Sequence, residues 1–248
     1  MFTENQKIIV GLPLYNESGA IKELLYRIDT FMKYRKFDYT IVIYNDGSTD
    51  SSLEECKDIQ KENKNIVILD GVVNKGLGVG LKELILFTLK NFTLNDVLVI
   101  MDSDNTHNPE HIFGMINKIR DGFDIVISSR YTSDSRIVGL TKFRELLSIG
   151  ASYMFRILFP IRGVKDYTCG YRAYSISKLK EAYDVYGNNI VTEVGFTCMA
   201  ELLVKLRTLN ILASEVPLVL RYDRKVTSSK MKILKTIIKT FKLAMKKY

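Results

Sequence analysis

The feature that most constrains this chain is a regular alternation along its first half. Short, β-branched apolar runs at 7–12, 39–44, 65–70, 95–101 and 123–128 are separated by amphipathic stretches at 19–34, 51–62, 77–91 and 110–121. The runs are too short for helices and read as strands buried on both faces, while the stretches between them keep a helical period. Such alternation predicts an α/β domain with a mostly parallel central sheet flanked by helices. In open sheets of this kind, ligands bind beyond the carboxyl ends of the strands. The polar residues that follow each run are therefore where chemistry is expected.

The second half is less regular. It predicts helices at 142–158, 175–186 and 195–208, a strand at 211–220, and a lysine-rich helix at 230–247. A length of 248 residues fits one large domain. We divide it into a nucleotide-binding half at 1–130, an acceptor-shaping half at 131–229 and a basic amphipathic C-terminal helix at 230–248. At 46% apolar and 26% charged residues, the chain can bury a core without disulfides or a structural metal. Cys56, Cys169 and Cys198 form no CxxC or Cys/His pattern and are expected to be buried thiols in a reducing cytosol. There is no signal-peptide pattern, and no apolar run approaches the ~18 residues that span a bilayer. The sequons at Asn16 and Asn91 are accordingly read as chance matches.

Asp102-Ser103-Asp104 follows the fourth apolar run. Two carboxylates one residue apart at a strand end can converge on one cation, and hard oxygen ligands suit Mg²⁺ or Mn²⁺. A metal there would neutralise charge developing on a departing nucleoside diphosphate. Asp-rich turns are also common for purely local reasons. Asn108 is expected to cap the next helix with Pro109 in its first position. That leaves His107 ahead of the helix and off the face of His111, which we read as structural.

Three more loops carry polar sets. Pro13-Leu14-Tyr15-Asn16-Glu17 places an aromatic ring, for stacking on a base, beside an acid. Asn45-Asp46-Gly47-Ser48-Thr49-Asp50 offers Asp46 to a base or ribose, although turn chemistry alone accounts for it equally well. Asn74-Lys75-Gly76-Leu77-Gly78-Val79-Gly80 superficially resembles a dinucleotide fingerprint. Its spacing is GxGxG and it follows the third strand, which argues against that use.

Together, Pro13/Tyr15/Glu17, Asn45-Asp46-Gly47-Ser48, Lys75-Gly76 and Asp102-Ser103-Asp104 resemble glycosyltransferase family 2 of the GT-A fold. Ser129-Arg130-Tyr131, Arg144, Ser148, Asp166-Tyr167-Thr168-Cys169-Gly170-Tyr171-Arg172, Val216-Pro217, Arg224 and Ser229-Lys230-Met231 narrow the resemblance to the dolichyl-phosphate (polyprenyl-phosphate) mannose synthase branch. The resemblance implies that Pro13, Tyr15, Glu17, Tyr44 and Asp46 hold the nucleoside, with Lys75 and Ser103 in the same donor site. It implies that Asp102, Asp104 and Thr106 meet the metal. Arg130, Arg144, Ser148, Arg224 and Lys230 match positions that hold the sugar-nucleotide and acceptor phosphates. Asn45 stands where the usual DDGS has its first Asp, and Thr106 where relatives often have Gln or Ser. The QxxRW of processive polysaccharide synthases is absent.

A phosphate monoester is already largely ionised at neutral pH, so as a nucleophile it needs positioning and charge compensation more than a base. Arg130, Arg144, Arg224 and Ser148 suit that task. A sugar hydroxyl would instead require a carboxylate base, for which Asp166 is the candidate. In-line attack opposite the diphosphate would invert the anomeric centre. The net charge of +8 is concentrated in 230–248, which holds seven lysines and no acid around the apolar stripe Met231, Leu234, Ile237, Ile238, Phe241 and Met245. That pattern suits a helix on an anionic leaflet as well as one docked on the protein. The expected setting is the cytoplasmic face of a membrane, with a membrane-anchoring partner protein and no nucleic acid. A basic binding protein for membrane or nucleic acid is the non-enzymatic alternative; it leaves the placement of Asp102 and Asp104 unexplained.

Overall fold

The five expected strands of the first half form as β1 (Ile8–Leu14), β2 (Tyr39–Asn45), β3 (Ile66–Asp70), β4 (Val97–Ile100) and β5 (Ile125–Ser129). Between them lie α1 (Ala20–Tyr34), α2 (Ser52–Glu62), α3 (Leu77–Asn91) and α4 (His111–Arg120). The structure is a computed structural model that describes residues 6–139 and 142–224, and of these every side chain except those of Lys142, Arg144 and Arg224. The lysine-rich helix expected at 230–247, and Lys230 with it, lie outside the described residues.

β1 and β4 bury side chains on both faces, as their unbroken apolar runs require. α1 buries Ile21, Leu24, Leu25, Ile28 and Met32, the stripe that its period lays along one side. The chain continues through β6 (Arg136–Val138), α5 (Lys142–Leu158), β7 (Arg172–Ser175), α6 (Ile176–Tyr186), α7 (Cys198–Arg207), β8 (Ala213–Pro217) and β9 (Val219–Arg221). Seven strands make one sheet in the order β3-β2-β1-β4-β7-β5-β8, and β6 pairs with β9 in a small second sheet. Only β7 runs antiparallel to its neighbours in the main sheet. The expected mostly parallel architecture is therefore present.

The order 3-2-1-4 makes the chain leave β1 towards one edge and return on the other side of it for β4. The point between β1 and β4 is the topological switch, where an open sheet presents its ligand crevice. Ser103 Oγ, just beyond β4, donates to the Pro13 carbonyl at 2.7 Å and fastens the two strand ends together.

Three local expectations change. β7 was not anticipated; it is four residues long and opens on Arg172. That guanidinium is fully buried, donating to the carbonyls of Cys169, Met199 and Tyr167 at 2.6–2.8 Å. The strand expected at 211–220 splits at Leu218 into β8 and β9, which join different sheets. α4 begins at His111, because Asn108 Oδ1 and the Asn108 carbonyl accept the Glu110 and His111 amides in a turn ahead of the helix. All three cysteines are free and buried, as expected, and burial pushes each thiol up to about 12.

Candidate active site

On the donor side, three strand ends are laced into one surface. The carboxylate of Asp46, beyond β2, accepts the Lys75 and Gly76 amides at 2.8 Å each. Asn16 donates its amide to Ser48 Oγ at 3.1 Å. Asn45 bridges two loops, donating to Asp70 Oδ1 at 2.8 Å and accepting the Ser48 amide at 3.1 Å. This pairing explains the departure at Asn45: an Asp there would set a second carboxylate against Asp70. Tyr15 is half-buried and Glu17 buried in the loop after β1. Tyr44 is buried, and its ring lies against Gly80 beside Pro13. Asp46 therefore clamps the third loop in addition to any contact with a nucleoside, while the Lys75 side chain is exposed at the rim.

Sequence reasoning missed the strap that covers the third loop. Glu201 on α7 is fully buried and accepts the Thr192 amide at 2.9 Å, the Glu193 amide at 2.8 Å, the Thr192 hydroxyl and Lys205 Nζ at 2.6 Å. Burial alone would raise the Glu201 carboxyl, but Lys205 and the other donors outweigh it and hold it below the usual value. The strap in turn lays the Val194 carbonyl on the Gly78 amide at 3.1 Å. The glycines at 76 and 78 make room for this main chain: a Cβ on Gly78 would lie 1.7 Å from the Glu193 carbonyl oxygen. Gly→Ala within a helix ordinarily stabilises by about 1 kcal/mol. Here the sign should reverse, because the clash is with backbone. Gly78→Ala is expected to cost about 1–3 kcal/mol, read by calorimetry as a lower Tm. A raised Tm would show that the strap does not press on α3.

At the switch point, Asp104 is buried and its Oδ1 accepts both the Thr106 hydroxyl at 2.7 Å and the Thr106 amide at 3.2 Å. Asp102 keeps its carboxylate 39% exposed. Thr106 thus spends its hydroxyl hydrogen on orienting the Asp104 carboxylate. Among the described residues no group of three His, Cys, Asp or Glu side chains is placed to hold a metal. Two hard carboxylates, one of them open to solvent, still fit Mg²⁺ or Mn²⁺ taken together with a diphosphate, since such ions fill most of their shell with phosphate oxygens and water.

The second half supplies a buried ion pair. Arg130, just beyond β5, meets Asp166 side-on, Nε to Oδ2 at 2.8 Å and Nη2 to Oδ1 at 2.7 Å. Asp166 also accepts the amides of Arg130, Thr168 and Cys169. Arg130 Nη1 donates to Ser148 Oγ at 3.0 Å and Nη2 to Thr168 Oγ1 at 2.6 Å. Burial by itself would push the Asp166 carboxyl up; the Arg130 charge and the hydrogen bonds prevail and hold it below the usual carboxylate value. The anion expected between clustered arginines is, for Arg130, an internal one. The structure brings Arg130, Ser148 and Asp166 together, whereas the side chains of Arg144 and Arg224 lie outside those described. His111 is structural: its Nε2 accepts the Val219 amide at 3.1 Å.

The fold and the carboxylate-bearing switch point define a GT-A architecture. It is shared with glucosyl-3-phosphoglycerate synthase from Mycobacterium tuberculosis in complex with uridine-diphosphate, at a TM-score of 0.66 and 17% identity over 97% of this chain and 80% of that one. The same synthase with Mn²⁺ and uridine-diphosphate-glucose gives 0.66 and 18%, covering 97% and 79%. The chain belongs to glycosyl transferase family 2, whose sequence profile it matches over residues 9–182. It is 31% identical to a dolichol-phosphate mannosyltransferase of Pyrococcus furiosus over 204 residues, 80% of this chain and 53% of that protein. A dolichyl-phosphate beta-glucosyltransferase of Trichomonas vaginalis is 27% identical over 232 residues, 90% of this chain and 67% of that protein. The match to the Pyrococcus protein thus spans about half of its length.

Proposed function

We propose that this protein is an inverting glycosyltransferase that moves a hexose, mannose from GDP-mannose in the first instance, onto a polyprenyl phosphate. The observation that carries the reading is the fastening of Asp102-Ser103-Asp104 to the end of β1 at the switch point, beside the loops that carry Tyr15, Glu17 and Asp46. A Mg²⁺ or Mn²⁺ ion held by Asp102 and Asp104 would supply Lewis-acid neutralisation of the leaving diphosphate. The chain's own residues do the rest. Thr106 orients Asp104, and Asp46 fixes the Lys75–Gly76 turn. Arg130 is pinned by Asp166 with Nη1 turned to Ser148, and in this reading that pair of side chains meets the acceptor phosphate.

The alternative acceptor, a glycan hydroxyl, needs a base. Asp166 is fully buried, and both its oxygens are taken by Arg130 and three amides, so it is poorly placed to receive a substrate proton. An ionised phosphate acceptor needs none. The relatives named for dolichol-phosphate mannosyl transfer and dolichyl-phosphate glucosyl transfer support the same class of acceptor. Labelled GDP-mannose or UDP-glucose, incubated with Mg²⁺ or Mn²⁺ and a short polyprenyl phosphate, is expected to move its label into the organic phase. Label that moves only onto an oligosaccharide would overturn the proposal.

An acceptor of this kind lies in a bilayer, and the composition of α5 supports contact with one. Its inner face carries Ser148, Ser152 and Phe155; its outer face exposes Phe143, Leu146, Tyr153 and Ile157, each more than 60% accessible. Arg156 is exposed on the same helix, Arg162 and Lys165 are exposed in the segment that follows it, and such cations suit anionic headgroups. Among the described residues no helix is long and apolar enough to cross a membrane. On the strength of the exposed stripe of α5 and the lysines of 230–248, we propose that the protein is peripheral on the cytoplasmic face of a membrane, with a membrane-anchoring partner. Leu146→Glu with Tyr153→Glu is expected to weaken binding to anionic vesicles about tenfold or more, in co-sedimentation. Transfer to a short water-soluble isoprenyl phosphate should be unchanged. Undiminished vesicle binding would remove α5 from the membrane contact.

A further inference from the structure

The segment between Asp104 and α4 contains a buried histidine to which the proposed chemistry gives no task. His107 is 3% exposed and lies five residues beyond Asp102. Its Nδ1 accepts the Asp102 amide at 3.3 Å, so that nitrogen acts as an acceptor and Nε2 is the ring's donor. That Nε2 lies 4.0 Å from Asp102 Oδ2. The ring is stacked on Tyr171, with centroids 4.8 Å apart and planes within 19°. Tyr171 is itself fully buried, and its hydroxyl donates to the Asn108 carbonyl at 3.0 Å. A Cβ on Gly170 would stand 3.5 Å from Asp102 Oδ1.

Asp102 therefore lies close to both His107 and the loop 166–172. The same loop begins with Asp166, the partner of Arg130, and ends with Arg172, whose three carbonyl contacts freeze it. Asp104 is oriented by Thr106, and Asp102 is the more exposed of the two carboxylates.

We infer that His107, held by its stack on Tyr171, is a positioning residue that locks the main chain of Asp102 so that its carboxylate meets a divalent cation together with Asp104. This rests on the reading that Asp102 and Asp104 share a cation. The hydrogen bond to the Asp102 amide is the lever, since the donor at Nε2 stands beyond hydrogen-bond distance. Outer-shell groups of this type set metal affinity by about 10–100-fold.

Two substitutions separate the lever from packing. The amide oxygen of Asn overlays Nδ1 and can still accept from Asp102, whereas the longer Gln places its amide at the Nε2 position. Mn²⁺ affinity is measured by the EPR signal of the free ion in the presence of GDP or UDP, for wild type, His107→Asn, His107→Gln and Asp102→Asn. Expected are a loss of about 10–100-fold for His107→Gln and a clearly smaller one for His107→Asn. Metal-free nucleotide affinity should be unchanged in both. Equal Mn²⁺ affinities for the two His107 variants, with Asp102→Asn impaired, would overturn the inference and leave the shared-cation reading standing. Wild-type affinity in Asp102→Asn would overturn both. Should His107→Gln not fold, His107→Asn against wild type decides: a loss approaching that of Asp102→Asn would overturn the inference.

Discussion

Asp104→Asn is expected to cut sugar transfer by at least about a thousandfold while leaving the fold almost untouched. The two halves of that expectation follow from the same contacts. Asp104 Oδ1 accepts the Thr106 amide and hydroxyl, and the carbonyl oxygen of an asparagine can accept both in the same place. The change therefore removes the negative charge and keeps the packing. Removing one preorganised electrostatic group costs about 10²–10³ in rate where it stabilises charge in the transition state. Here the lost group would also anchor the ion that neutralises the diphosphate, so the effect belongs at or beyond the upper end. Rates with saturating donor and acceptor, alongside a thermal melt, provide the check. Residual transfer within tenfold of wild type, with the melt unchanged, would mean that the leaving group is stabilised by something other than this carboxylate.

The strands that build the switch point were legible because burial on both faces demands unbroken apolar runs, and Ile8–Leu14 and Val97–Ile100 have them. β7 is not, because four residues opening on Arg172 carry no such signature; the carbonyls of Tyr167, Cys169 and Met199 help make that burial tolerable. In the site, residue types could be read but partners could not. Asp46 reads as a ligand for a nucleoside, yet its nearest donors are two amides 29 and 30 residues away. The glycines at 76 and 78 stood out, but their reason lies in a strap more than a hundred residues later, which contacts them through main chain and so leaves no side-chain pattern to find. Arg130 and Asp166 were both picked out, with separate roles as phosphate holder and base. Their mutual pairing depends on how β5 and the loop before β7 meet, which no spacing along the chain encodes.

That pairing carries the largest expected effect on stability. Asp166→Asn leaves the Arg130 guanidinium, 11% exposed, without its counter-charge in a site from which water is nearly excluded. Breaking a buried pair by removing one partner costs about 3–5 kcal/mol. For a chain of this size each kcal/mol shifts Tm by about 2–4 °C, so a fall of roughly 6–20 °C is expected. The pH dependence has a defined sign. The folded Asp166 carboxyl lies below the ordinary 3.8, so its stabilisation is complete above the unfolded value and is lost as pH falls through the folded one. Wild type should therefore lose this part of its stability only below about pH 4, whereas Asp166→Asn should lack that part of the acid dependence. The double change Arg130→Met with Asp166→Asn removes both charges at once and keeps an oxygen to accept the Thr168 and Cys169 amides. It should recover part of the lost Tm, because no uncompensated charge is left buried, yet it should not recover transfer if Arg130 serves the acceptor phosphate. A double variant that regains both stability and activity would reduce the pair to a structural strut, and the phosphate would then have to be met by other cations.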